Sequence, residues 1–365
     1  MNNERPNVFN ESIQLNKIVF FNPYADRHTK GAARRIELLS EAIHLQGREV
    51  KVVLKEEYLA DLNPGLEKLA LCCGLQRLAY FCAAARLARA PNTVVVSEVI
   101  FIPTWRKNII LTIHDLKAFD ERASRGGRVR ALAYRIFTQL ARKIVVVSSG
   151  VKLDLVRHCN VPTSKVYVNY NGISGERINL AERNQRVAKL YDFVYVSSFA
   201  RHKRHELLVT AAPAGAHLCF IGRDLGSLDN LLEQVARRGG EITVDIRTDV
   251  NGDDELFSLI GAAHCGVFPS VFEGFGIPLL EYAATGLFVM ASDIPVFHEI
   301  ADYVDLFFPP DDEAALGHAM AEFMQNKPTG NFASADLLRN SKFSEAAVTR
   351  AFLEIVDDSF LESDN

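Results

Sequence analysis

Phe268-Pro-Ser-Val-Phe-Glu-Gly-Phe-Gly-Ile-Pro-Leu-Leu-Glu-Tyr-Ala-Ala-Thr-Gly286 is the stretch on which the fold turns. It begins as the end of an apolar strand, Cys265-Gly-Val-Phe268, and passes through a glycine-containing turn that bears Glu273. A helix then opens with Pro278 near its first turn, where proline is tolerated because its missing N–H has no intrahelical acceptor there. Such a turn leaves the amides of Gly274, Phe275 and Gly276 unpaired beside the positive end of a helix. Glu281 lies about one turn further in, on a helix otherwise apolar from Ile277 to Ala284. A carboxylate in that setting needs a partner. By itself the turn could be no more than a turn, with Glu281 a cap or a solvated residue.

Outward from this stretch, short β-branched runs alternate with helical patterns. In the first half they are Ile18–Phe21, Val50–Leu54, Thr93–Val96, Asn108–Ile113, Lys143–Val147 and Val166–Val168, with a helical pattern from Ala32 to Leu45. In the second they are Asp192–Val196, Leu218–Ile221, Ile242–Ile246, Cys265–Phe268 and Phe288–Ala291. Continuous apolar strands separated by helices predict buried parallel sheets. The expected fold is therefore α/β, two Rossmann-like doubly wound domains facing across a cleft, with ligands beyond the carboxyl ends of the strands. The expected division is a disordered lead-in at 1–15, a first Rossmann-like domain at 16–175, a polar linker at 176–190, a second Rossmann-like domain at 191–340, and a C-terminal helix and tail at 341–365.

A chain of 365 residues suits two domains rather than one core, and 48% hydrophobic with 24% charged residues reads as soluble and globular. No apolar run nears the roughly 20 residues that cross a bilayer. Met1 to Gln14 is polar and lacks the apolar region of a signal peptide. The six cysteines have no metal spacing and read as core filler, the adjacent Cys72-Cys73 included, which suits a reducing cytoplasm. Net charge is −4, but residues 1–175 carry +11 and residues 176–365 carry −15. Such asymmetry predicts that the basic half faces an anionic partner. Asp253-Asp254 and Asp311-Asp312 read as acids at helix starts, not as a metal-binding Asp-x-Asp. No metal and no cofactor are expected, and nothing points to nucleic acid.

Glu273-x7-Glu281, with Gly-Phe-Gly-Ile-Pro inside it, resembles the donor-site motif of retaining glycosyltransferase family 4, of GT-B fold, and the likeness extends over nearly the whole chain. The resemblance implies that the first domain binds the acceptor and the second the nucleotide sugar. It also implies that Glu273 contacts donor-sugar hydroxyls near the reacting carbon and that Glu281 binds ribose hydroxyls. The amides of Gly274, Phe275, Gly276 and Ile277 would hold sugar and diphosphate. Lys203 falls on the family's phosphate-binding lysine, while Ser198 stands where an arginine is usual, leaving Arg201 or Arg204 to supply the second charge. Gly222 and Arg223 would line the nucleotide pocket, and Val250 belongs to the segment that meets the base. Gly31 stands in the loop that would approach the diphosphate. His114 resembles the family's strand-end histidine near sugar and acceptor, and Asp115 would orient it or serve the acceptor. Glu299 reads as structural, and the stretch from Phe343 to Val356 resembles the helix that crosses back onto the first domain.

The implied activity is a hexosyl transfer from a nucleotide sugar to a saccharide or lipid-linked acceptor, with retention and without metal. Gly274 to Pro278 is similar to bacterial mannosyl- and rhamnosyltransferases of surface polysaccharide synthesis, including lipopolysaccharide, which points to GDP-mannose. The alternatives are a GT-B nucleotide-sugar epimerase, which would need further acid–base groups, and a non-catalytic nucleotide-sugar-binding protein. The expected location is cytoplasmic, at the inner face of the inner membrane. Arg122 to Lys143 holds seven cations and no acid, with Leu132, Ile136, Phe137 and Leu140 at helical spacing. That pattern fits either peripheral docking on an anionic membrane or a core-facing helix with a basic back.

Overall fold

A computed structural model of the chain describes residues 17–22, 32–54, 76–119, 128–331 and 334–361. The lead-in, Cys72-Cys73, the loop holding Gly31, and Arg122 to Gly127 lie outside the described residues. Twelve described strands form two six-stranded sheets. The first takes β1 (Lys17–Phe21), β2 (Val50–Val53), β3 (Thr93–Ser97), β4 (Ile109–Ile113), β5 (Lys143–Val146) and β6 (Val166–Val168) in the order β2-β1-β3-β4-β5-β6. The second takes β7 (Tyr191–Val196), β8 (His217–Ile221), β9 (Thr243–Arg247), β10 (Ala263–Phe268), β11 (Phe288–Ser292) and β12 (Leu306–Phe308) in the order β12-β11-β10-β7-β8-β9. The described pairings are parallel, as fully apolar strands such as Val94-Val95-Val96 require. This is the two-sheet α/β architecture of the GT-B fold.

Each sheet reverses its winding once, between β1 and β3 in the first and between β7 and β10 in the second. Ligands in open α/β sheets bind outside the carboxyl ends of strands at such reversals. The reversal in the second sheet therefore already marks the loops that follow β7 and β10.

Twelve helices accompany the strands among the described residues: α1 (Ala32–Leu45), α2 (Gln76–Leu87), α3 (Arg128–Leu140), α4 (Ser149–Cys159), α5 (Gly175–Arg183), α6 (His205–Ala211), α7 (Leu228–Arg237), α8 (Asp253–Gly261), α9 (Ile277–Ala284), α10 (Glu313–Asn326), α11 (Ser334–Arg339) and α12 (Glu345–Leu361). The segment expected to be a linker thus contains α5, capped by Ser174, whose hydroxyl accepts from the amide of Arg177.

By contacts the chain divides into two compact units. One holds residues 1–112, 140–143 and 353–365, the other 113–139 and 144–352. In the first unit the end of α12 is held by Arg48, which makes two hydrogen bonds to Asp357 at 2.5 and 2.7 Å, and by Lys143, which reaches Asp358 at 2.5 Å. In the second unit Ile173 donates to the carbonyl of Phe343 at 3.0 Å, and the amide of Gly175 donates to Glu345 at 3.1 Å. Each end of α12 is thereby fastened within its own unit.

Helix α3 buries Ala133 and Thr138 instead of its larger side chains. Val129 is 75% exposed, Leu132 56%, Ile136 48% and Leu140 46%, while Phe137 is half-buried. The helix thus packs inward through Ala133 and Thr138, while Leu132, Ile136 and Leu140 of the expected stripe stay exposed. Cys159, Cys219 and Cys265 are buried as expected of core filler, whereas Cys82 is exposed. No described helix is long and apolar enough to cross a membrane.

Candidate active site

Lys203 closes a short 3-10 turn, Arg201–Lys203, just after β7, and Glu273 sits in the loop after β10. The two strands are neighbours at the winding reversal, so their following loops must meet. They do: the Lys203 ammonium pairs with the Glu273 carboxylate, with side chains 13% and 12% exposed, and the ammonium also stands 5.6 Å from the ring of Phe268. The turn is locked to the loop by the carbonyl of His202, which accepts from the amide of Val271 and the hydroxyl of Ser270, each at 3.1 Å.

The Glu273 loop then runs against the segment after β4. A Cβ on Gly274 would fall 1.9 Å from the carbonyl oxygen of His114 and 3.5 Å from Cβ of Asp115, so only glycine permits this approach. Gly276, at φ +112°, caps α9, and Pro278 stands in its first turn. Among the described residues no acceptor is found for the amides of Gly274, Phe275 and Gly276. Phe275 is buried against Tyr170 and Phe343, with ring centroids 6.1 and 5.6 Å away, which anchors the loop from behind. The structure thus brings together His114, Asp115, Lys203, Glu273 and Gly274.

Asp115 accepts from the amide of Lys117 at 3.1 Å, and the Lys117 ammonium stands 3.2 Å from its other oxygen. Burial pushes the Asp115 carboxyl up, but Lys117 and the nearby His114 outweigh it and hold the group below the usual carboxylate range. Asp115 is therefore an anion at neutral pH, positioned by Lys117.

Glu281 is placed differently. Its residue is 0% exposed, and the Arg177 guanidinium reaches it at 2.6 Å while also pairing with Asp253 at the start of α8. The same guanidinium lies 5.0 Å from the ring of Phe257. The demand that an apolar helix makes on its carboxylate is thus met from α5. Arg177 escaped the sequence reading because it lies 104 residues from Glu281, in the supposed linker; the only signal was a cation at the first turn of an otherwise ordinary amphipathic stretch.

The remaining expected donor residues scatter around this centre. Gly222 follows β8, and its amide donates to Arg247 at 2.9 Å; Arg223 is exposed, and Val250 is half-buried ahead of α8. Arg201 is exposed. Arg204 turns away to Asp311 at 3.0 Å and Glu206 at 3.6 Å. Gly31 lies outside the described residues. Glu299 is structural in a specific sense: its two oxygens accept the amides of Ser149 and Gly150, each at 2.8 Å, at the first turn of α4. Ser148 caps the same helix from its own side chain.

In the first unit the winding reversal gathers Asn22, which donates to Glu98, together with the buried Arg35. Burial pulls the Arg35 guanidinium down to about 10, with Glu98 opposing. None of the three was singled out in the sequence, because each stands alone in an unremarkable local pattern. Among the described residues no cluster of histidine, cysteine, aspartate and glutamate could hold a metal ion.

Two family models match this chain, "Glycosyltransferase Family 4" over residues 29–177 and "Glycosyl transferases group 1" over residues 176–339. The O-antigen chain mannosyltransferase RfbU of Salmonella typhimurium is 28% identical over 231 residues, 61% of this chain and 63% of that protein. The O-antigen chain mannosyltransferase B of Escherichia coli is 23% identical over 66% of this chain and 68% of that protein. Among solved structures, a glycosyltransferase from Rickettsia africae superposes with a TM-score of 0.68 at 15% identity, covering 95% of this chain and 99% of that one.

Proposed function

Because the chain belongs to glycosyltransferase family 4, its two family models together running from residue 29 to 339, we propose that it transfers a mannosyl residue from GDP-mannose to a saccharide or lipid-linked acceptor in bacterial surface polysaccharide synthesis. The observation that carries the reading is the convergence of Lys203, Glu273, the Gly274 loop and His114–Asp115 at one winding reversal. The mannosyl part rests on the names of the two O-antigen relatives, and the nucleotide on the likeness of Gly274 to Pro278 to such enzymes.

In this reading Lys203 exchanges Glu273 for the donor diphosphate, whose developing negative charge it neutralises together with the amides at the start of α9. Glu273, released, meets the sugar hydroxyls and stabilises the electron-poor anomeric carbon. The bond from that carbon to the phosphate oxygen breaks, and the bond to the acceptor oxygen forms on the same face, retaining configuration. The acceptor proton passes to the leaving diphosphate. His114 and the anionic Asp115 hold the acceptor side. Glu281 contacts ribose from beneath; a nucleotide affinity unchanged in Glu281→Gln would leave it only a structural carboxylate. Lys203 and the amides supply the positive charge that a metal would otherwise provide, so transfer should survive EDTA.

The acceptor half also touches an anionic bilayer at the cytoplasmic face of the inner membrane. Supporting this is the outward stripe of Val129, Leu132, Ile136 and Leu140 beside the exposed Arg128, Arg130 and Arg135. An amphipathic basic helix lies in an interface plane in this way, each cation contributing about 1 kcal/mol near anionic lipid. Flotation with anionic liposomes at low salt should recover the protein, and binding that ignores lipid charge and salt would refute the contact.

The transfer is tested by thermal shift of the full chain against GDP, UDP, dTDP and their sugars, followed by an assay with the sugar that binds. Stabilisation by GDP-mannose above the others is expected. Donor turnover without an acceptor would favour the epimerase alternative, and binding without any turnover the non-catalytic one.

A further inference from the structure

We infer that His202 is a sugar-binding residue of this same site, its imidazole Nε2 hydrogen-bonding a hydroxyl of the transferred hexose. His202 stands between Arg201 and Lys203 in the turn after β7 and is 7% exposed. Its Nε2 is buried and has no hydrogen-bond partner among the described residues. Buried polar atoms are nearly all hydrogen-bonded, so an orphan at a site rim asks what completes it. The surroundings narrow the answer. His202 precedes Lys203, which pairs with Glu273, and its carbonyl accepts from Ser270 and Val271 of the Glu273 loop, so it stands beside the groups of the site, whose charges also act on its imidazole.

The chemistry of the missing partner follows from the charge of the ring. Burial and then Lys203 pull the His202 imidazole down to about 4, which leaves it neutral at physiological pH. A neutral imidazole has one donor and one acceptor nitrogen. A phosphate oxygen is best met by a cation, which Lys203 already supplies. A hydroxyl, which both donates and accepts, suits either tautomer.

His205 serves as an internal control. Its Nε2 is likewise buried without a partner, but its ring is enclosed by Tyr195, Phe199 and Phe220 at 4.5, 4.7 and 5.5 Å. That is a core histidine. What separates His202 from it is its place: no such cage of aromatic rings surrounds it among the described contacts, and its own carbonyl is tied to Ser270 and Val271 of the loop that bears Glu273.

The inference rests on the donor-site reading, and one titration series separates the two. Wild type, His202→Asn and His202→Ala are titrated calorimetrically with GDP, GDP-mannose, UDP and UDP-glucose, with thermal melts to confirm folding. For the nucleotide that wild type binds, His202→Ala should weaken the nucleotide sugar about five- to tenfold and leave the free nucleotide unchanged. His202→Asn, which can still donate and accept, should recover part of the loss. Equal losses for sugar and nucleotide, or none for either, overturn the role of His202 while leaving the donor site standing. Failure of wild type to bind any of the four ligands overturns the donor site and this inference with it.

Discussion

Glu273 and Glu281 stand eight residues apart in one loop-and-helix segment, and each is bound to a cation from a distant part of the chain, yet the two pairs are built for different work. Glu273 keeps 12% of its side chain exposed and pairs with a lysine in the short turn after β7. Glu281 keeps none, and its arginine is held in turn by Asp253 and the ring of Phe257. A lysine is a flexible point charge that changes partners readily, whereas an arginine in a planar, stacked setting does not. Under the proposed function the first pair opens for the donor, while the second ties α5 to α8 and α9 beneath the nucleotide.

The sharpest way to break this comparison is to remove each cation. Arg177→Met removes the arginine from a fully buried carboxylate and should cost about 3–5 kcal/mol in chemical denaturation. A loss below about 1 kcal/mol would mean that Glu281 has other support and that the contrast with the rim is overstated. Lys203→Ala should instead show itself in binding, weakening GDP by about 1.5–3 kcal/mol while hardly affecting guanosine. Equal loss for both ligands in titration calorimetry would pass the phosphate role to Arg201 or Arg223.

Acid sharpens the comparison further, because the rim lies beside buried histidines. His202 is held down to about 4 and His205 to about 3, burial first and Lys203 second in each case. A histidine with a lowered folded value binds fewer protons folded than unfolded, so stability is full above the unfolded value, roughly 6.5, and falls as pH drops below it. By pH 5 each should cost about 2 kcal/mol. Melting curves from pH 7 to 5 should show the decline, and His205→Phe should flatten it by its own share. An unchanged slope would mean that His205 is not kept neutral by burial.

The smallest stability effect is expected far from both carboxylates. Ile136→Asp, on the exposed face of α3, should change stability by no more than about 0.5 kcal/mol, since that side chain is 48% exposed. It should nonetheless abolish flotation with anionic liposomes. A large loss of stability would show instead that the stripe is covered by protein.

Much of this was readable from the chain. The eleven strand runs appear close to where the sequence placed them, and the start of α9 falls at Ile277 as Pro278 required. The strand β12, Leu306–Phe308, was missed because three residues ahead of two prolines carry too short a period to recognise. The stripe of α3 was visible as a periodicity, but spacing cannot say whether a face meets core or solvent. In the site, Lys203 and Glu273 were nameable because each follows a strong strand. His202 was legible only as one member of a basic run.

Sequence by itself determined the elements and the motif, because a period of two or 3.6 and the chemistry of glycine and proline act over a few residues. Only the tertiary structure decided the partners. Arg177 meets Glu281 across 104 residues, Lys203 meets Glu273 across 70, and Glu299 caps the amides of Ser149 and Gly150 across 150 and 149. Which charges meet depends on how parallel strands are ordered in a sheet, and that order is settled by the packing of whole helices against it. Neutralising a buried carboxylate needs a cation only at the right place in space, so any of several could have served, and the local pattern around Arg177 carries no mark of having been chosen.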